Sequence, residues 1–198
     1  MSSPGDNVAL NKQHNLLEAE QDVSQFQYSQ IEQQLVEALP EIRPAAEFYW
    51  HTEGAPGQDD GPYIFFEQLF AAYVGVLLWL PSTPRRDELL RRAFTVSEQM
   101  FESTDRDVQT LVAIGLFEGR EPAWLKRAKP FVGPRAAEWL RAYHDCWRDC
   151  SDANDVIVPK ILDGYHVRTV IARELQVPDA QVPGETYATG RLPDECRD

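Results

Sequence analysis

The sequence predicts an all-α domain of about seven or eight helices packed as antiparallel hairpins, HEAT-like or as an irregular bundle. Three observations lead there. Apolar residues recur at three- and four-residue spacing in one segment after another. Proline and glycine divide those segments. No run alternates with period two for long enough to argue a sheet. A content of 43% apolar and 26% charged residues excludes disordered and collagen-like chains, and 198 residues suit one domain with tails.

Residues 1–25 are polar and Gln-rich and read as a mobile N-terminal tail. The helical domain is expected over 26–176. Ile31, Leu35, Val36 and Leu39 open it, and Pro44 starts a second segment through Ala45, Phe48, Tyr49 and Trp50. Gly54 to Pro62 are nearly all turn formers and read as a loop. The next helix, 63–80, is apolar nearly all round and should sit centrally. Its apolar run, Ile64 to Leu80, is slightly short for a membrane span and holds Glu67 and Gln68, so it reads as a buried helix.

Thr83 is placed to cap a helix over 85–102, and Thr104 or Asp105 to cap the following one. Gly115 inside that helix costs about 1 kcal/mol relative to Ala, which close approach of a neighbouring helix would offset. A short basic segment, 121–130, precedes Gly133-Pro134 and a helix to about Cys150. A last helix is expected over 165–176, and 177–198 reads as an extended C-terminal tail. The expected core includes Phe65, Leu69, Tyr73, Leu77, Leu90, Phe94, Phe101, Leu111, Val112, Leu140 and Tyr143.

The net charge of −13 argues against nucleic acid as a partner, since phosphate binding needs a basic face. The charge is uneven. Residues 1–60 hold two bases against 11 acids, residues 61–150 balance at 12 each, and residues 151–198 hold five against nine. No basic-then-apolar leader precedes the domain. Cys146, Cys150 and Cys196 are too few and odd in number for a disulfide framework. A cytoplasmic protein with reduced, metal-free cysteines and no membrane partner is expected.

The residues offer little chemistry. His144, Cys146 and Cys150 fall short of the four ligands of a structural zinc site, and on a helix His144 points away from the two cysteines. His14, His51, His144 and His166 have no i, i+4 spacing. The Glu98/Glu102 and Asp105/Asp107 pairs read as solvated faces and caps, not as carboxylates across a cleft. No phosphate-binding Gly-rich loop is present. No catalytic residue, metal or cofactor is expected.

Several short motifs occur in order: Leu35 to Pro44, Phe65 to Phe70, Glu88-Leu89-Leu90 with Phe94, Ser103 to Gln109 with Val112 and Gly115, and Phe131 to Arg135. Over about residues 31–150 the chain resembles an uncharacterised family of small bacterial all-helical domains associated with polymorphic toxin systems and read as immunity proteins. The resemblance implies a non-catalytic protein that neutralises a cognate toxin, a basic nucleic-acid-attacking one fitting the acidic charge. Alternatives are a metal-binding or enzymatic protein using Cys146, Cys150 and a histidine, or a scaffold with another partner. The expected docking segment is acidic and aromatic: Glu41, Glu47, Tyr49, Trp50, Glu53, Asp59, Asp60 and Tyr63.

Overall fold

The structure, a computed structural model, describes residues 26–53, 61–143, 162–163, 166–178, 181–182 and 185–186. Its helices are α1 (Ile31–Ala38), α2 (Arg43–Glu53), α3 (Gly61–Trp79), α4 (Pro84–Glu102), α5 (Arg106–Val112, continuing as a π turn over Ala113–Phe117), α6 (Pro122–Ala128), α7 (Pro134–Tyr143) and α8 (Val167–Leu175). The only described strands are two residues each: β1 (Leu162–Asp163) pairs in parallel with β2 (Glu185–Thr186), Leu162 opposite Glu185.

Apolarity on every side places α3 at the centre, as expected: it packs against α1, α4, α6 and α8. Phe65, Phe66, Leu69, Phe70, Tyr73, Val74, Val76 and Leu77 are fully buried along it. By length and composition alone it could cross a membrane, and more than half of it is buried within the fold. It begins at Gly61, two residues earlier than the pattern suggested, because Gly61 adopts φ +67° and Pro62 fits the first turn. Its middle, Phe66–Ala71, is a π turn.

The α3–α4 and α4–α5 connections are short, Leu80 to Thr83 and Ser103 to Asp105, and each pair packs together. Thr83 caps α4 by accepting the Arg86 N–H, and Asp105 caps α5 by accepting the Asp107 N–H at 2.9 Å. α8, distant in sequence, lies against α2 and α3, and Arg85 of α4 pairs with its Glu174 at 2.6 Å. In a stacked solenoid each unit touches only its neighbours, so the HEAT-like option gives way to an irregular bundle.

Two expected core residues are corrected. Tyr143 is 70% exposed, because α7 buries Ala136 and Leu140 and ends its inward stripe there; the Tyr143 ring lies on Trp139, one turn back. Phe101 is half-buried at the edge of the aromatic cluster. The ordered packing also passes residue 176: Val177 packs on the core, Val182 is buried, and Arg168 donates to the Val182 carbonyl at 2.9 Å. Residues 1–25, the expected tail, and 144–150, the expected end of α7, lie outside the described residues.

Candidate interaction face

Three of the eight expected docking residues, Glu41, Tyr49 and Trp50, turn inward. Pro40 starts a 3-10 turn, Pro40–Ile42, that aims Glu41 beneath α3. Its buried carboxylate accepts the Tyr73 hydroxyl at 3.0 Å and pairs with Arg92 at 3.1 Å. Burial foremost, and then Glu41, push the Tyr73 phenol far above its ordinary value. A carboxylate held this way is spent on the fold and is not a docking charge.

Tyr49 is buried and Trp50 half-buried, both against Phe65: Tyr49 edge-on at 5.3 Å, Trp50 stacked at 5.8 Å. The Trp50 indole N–H donates to buried Glu32 at 2.7 Å. The apolar face of α2 is wide enough to turn both neighbours toward α3, which removes them as solvent-facing anchors. Glu47 is half-buried, Glu53 exposed and Tyr63 half-buried. Asp59 and Asp60 lie outside the described residues.

Other polar residues serve as long-range caps. Glu98, read as part of a solvated face, accepts the Arg135 and Ala136 N–H groups at 2.5 and 3.2 Å and so caps α7 from α4. Gly133 sits directly on that carboxylate, where a Cβ would collide. Ser103 donates to the Phe26 carbonyl at 2.7 Å, and Asp105 accepts the Tyr28 N–H at 2.8 Å. The Ser103-Thr104-Asp105 turn thereby clamps the chain entering α1.

Arginines close helix C-termini. Arg86 donates to the Leu77 and Leu78 carbonyls, and Arg127 to those of Leu78 and Trp79. Arg120 donates to the carbonyls of Gly115 and Leu116 at 2.7 Å and lies over Trp124; burial holds its pKa below the ordinary arginine value.

No group of three or more metal-ligating side chains occurs among the described residues. Cys146, Cys150, Cys196, His14 and His144 lie outside them, and His51 is exposed. His166 precedes α8 at φ +60°, edge-on to Phe48 at 4.6 Å, its Nε2 buried with no hydrogen-bond partner among the described residues.

One solvent-facing surface remains that the sequence reading missed. The π turns of α3 and α5 pack on each other. A Cβ on Gly115 would stand 2.7 Å from the Phe66 ring, which confirms the close approach expected at this glycine. A π turn carries one extra residue and re-aims the side chains around it. Tyr63 and Glu67 of α3 lie near Glu118, which follows the π turn of α5, and Glu67 is also within electrostatic reach of Arg120; Ile114 precedes Gly115 in that turn. Glu67 and Glu118 are exposed, and neither carboxylate has a hydrogen bond or ion pair among the described residues. Ile114 is 41% exposed. Burial first, then Glu118 and Glu67, raise the Tyr63 phenol above its ordinary value, so both carboxylates act on one ring. Only the misplaced-looking Gly115 signalled this junction in the sequence.

Fold and face define an all-α bundle whose buried Glu32, Glu41 and Arg86 are each tied to a structural partner, with an acidic, partly aliphatic surface facing solvent. The chain belongs to the DUF7674 family, a domain of unknown function, matched over residues 32–148. That span begins in α1 and runs past α7, leaving α8 outside. No curated protein and no solved structure matches the chain.

Proposed function

We propose that this is a non-catalytic binding protein of the cytoplasm, an immunity protein that neutralises a basic, nucleic-acid-attacking toxin by occupying it. Charge carries this reading. The chain is at −13, two bases stand against 11 acids in its first 60 residues, and Glu37, Glu53, Glu67 and Glu118 are exposed. An acidic inhibitor of a basic target gains association rate through steering. Inhibition by occupancy needs complementary surface and no reactive group. The family resemblance over residues 31–150 points the same way.

The test is co-expression with the product of the adjacent gene. The expected result is co-elution as a defined complex, relief of that product's toxicity, and an association rate that falls steeply with salt. Separate elution together with unrelieved toxicity would overturn the proposal.

A further inference from the structure

We infer that α8 is a releasable strap: it fills, from within the chain, a groove over α2, the Pro40–Ile42 turn and α3, and gives way there to an amphipathic helix carrying the same aliphatic stripe. This goes beyond the immunity reading and does not depend on it.

The occupant itself shows what the seat accepts. Val167, Val170 and Ile171 are buried at the i, i+3, i+4 spacing of a helix laid in a groove, with Ala172 beside them, while Arg173 is exposed. The floor comes from α3, the Pro40–Ile42 turn and α2. Those elements lie within the matched span 32–148, whereas α8 lies beyond it.

Three features make the seat easy to leave. First, both ends of α8 hold a backbone conformation that L side chains rarely adopt. His166 at its start has φ +60° and Gln176 at its end has φ +55°, and among the described residues no other non-glycine residue has a positive φ. The Gln176 N–H donates to the Arg173 carbonyl at 3.1 Å and the Val177 N–H to the Ala172 carbonyl at 2.9 Å, a closure that ordinarily takes glycine where Gln176 stands. Second, docking leaves a polar atom unanswered. The His166 ring lies edge-on to Phe48, and its Nε2 is buried with no hydrogen-bond partner among the described residues. The starts of α4, α5 and α7 are capped by Thr83, Asp105 and Glu98, whereas the His166 side chain supplies no such bond to α8. Third, in the ion pair that ties α8 to α4, the Arg85 side chain is 43% exposed, and exposed pairs hold weakly. Release frees two left-handed residues and one buried nitrogen, and bares a seat shaped for a helix.

Native-state hydrogen exchange on the full chain reads the release. After correction for intrinsic rates, the amides of residues 170–175 should exchange at least about a hundredfold faster than those of residues 73–77 in α3. Gln176→Gly should slow exchange in α8 about threefold to fivefold, since glycine takes the left-handed position freely. Val170→Asp/Ile171→Asp cannot keep its stripe buried. Its helix content should fall by no more than α8 contributes. A labelled peptide of residues 166–178 should bind that variant at least about tenfold more tightly than it binds the unaltered chain, where α8 competes. The same peptide carrying both Asp substitutions should not bind. Equal exchange rates in α8 and α3 of the unaltered chain would overturn the strap, because α8 would then open only with the whole fold. An unresponsive Gln176→Gly would overturn the part given to the helix ends. A folded Asp variant that ignores the peptide would overturn the groove.

Discussion

The bundle has two sides built on different principles. Around α4, α5, α6 and α7 the interior is aromatic: Phe94 stacks on Phe131 at 6.0 Å, and Phe117 meets Trp124 edge-on at the same separation. Trp139 and Phe101 extend the cluster outward. Around α1, α2 and the adjoining face of α3 the interior holds two carboxylates, Glu32 under Trp50 and Glu41 between Tyr73 and Arg92. The first side is held by area and tolerates change in proportion to the volume removed. The second is held by area plus a few donors, and losing one donor leaves a buried charge short of partners. One chain thus stores stability in two currencies, and substitutions should separate them.

The largest effect belongs to the aromatic side. Phe94→Ala should lower stability by about 3–5 kcal/mol, read as a shift of the urea midpoint, because the ring adjoins Phe117, Trp124 and Phe131 at once. A shift no larger than that of an exposed position would mean that the cluster does not act as a unit.

On the carboxylate side Tyr73→Phe should cost about 1–3 kcal/mol, since among the described residues Glu41 then keeps only Arg92. The double variant Tyr73→Phe/Glu41→Leu should be more stable than the sum of the single losses. Simple additivity in that cycle would show the buried pair to be energetically uncoupled. Between the two sides, Gly115→Ala should cost about 1–3 kcal/mol by driving a methyl group into Phe66; a neutral result would mean that the ring swings clear.

A smaller effect is read with pH. The Tyr28 N–H foremost, with the Asp107 and Val108 N–H groups, holds the Asp105 carboxyl below its ordinary value. A depressed folded-state pKa contributes stability above the unfolded value, about 3.9, that is lost as pH falls through the folded value. Asp105→Asn should therefore lower the thermal midpoint at neutral pH, and the gap to the unaltered chain should close in acid. A gap constant with pH would assign the effect to shape and not to charge. The smallest effect is at Tyr143, 70% exposed, where Ala should change stability by no more than about 0.5 kcal/mol.

What the sequence revealed follows from range. Thr83, Asp105 and the prolines act within a turn of where they stand, so the starts of α4 and α5 were legible. The all-round apolarity of α3 announced its central place. The π turns were not legible, because one extra residue per turn is settled by what packs outside the helix. Glu98 looked like one of a pair of surface acids because its partners, Arg135 and Ala136, lie 37 and 38 residues away. Glu41, Tyr49 and Trp50 looked like an acidic-aromatic surface because composition does not say which way a side chain turns. The same blindness left the exposed Glu67, Ile114 and Glu118 unremarked.

The arginine closures at the end of α3 bear on the order of assembly. Arg86 lies eight and nine residues from the carbonyls it holds, so its half of the closure comes with the first turn of α4. Arg127 lies 48 and 49 residues from Trp79 and Leu78, so the other half waits until α5 is in place and α6 has docked. The most apolar helix of the molecule is thus started by its own sequence and finished by a later one. A chain severed between α5 and α6 would keep the Arg86 donors on Leu77 and Leu78 and lose the Arg127 donors on Leu78 and Trp79, and faster amide exchange at the end of α3 would register the missing cation.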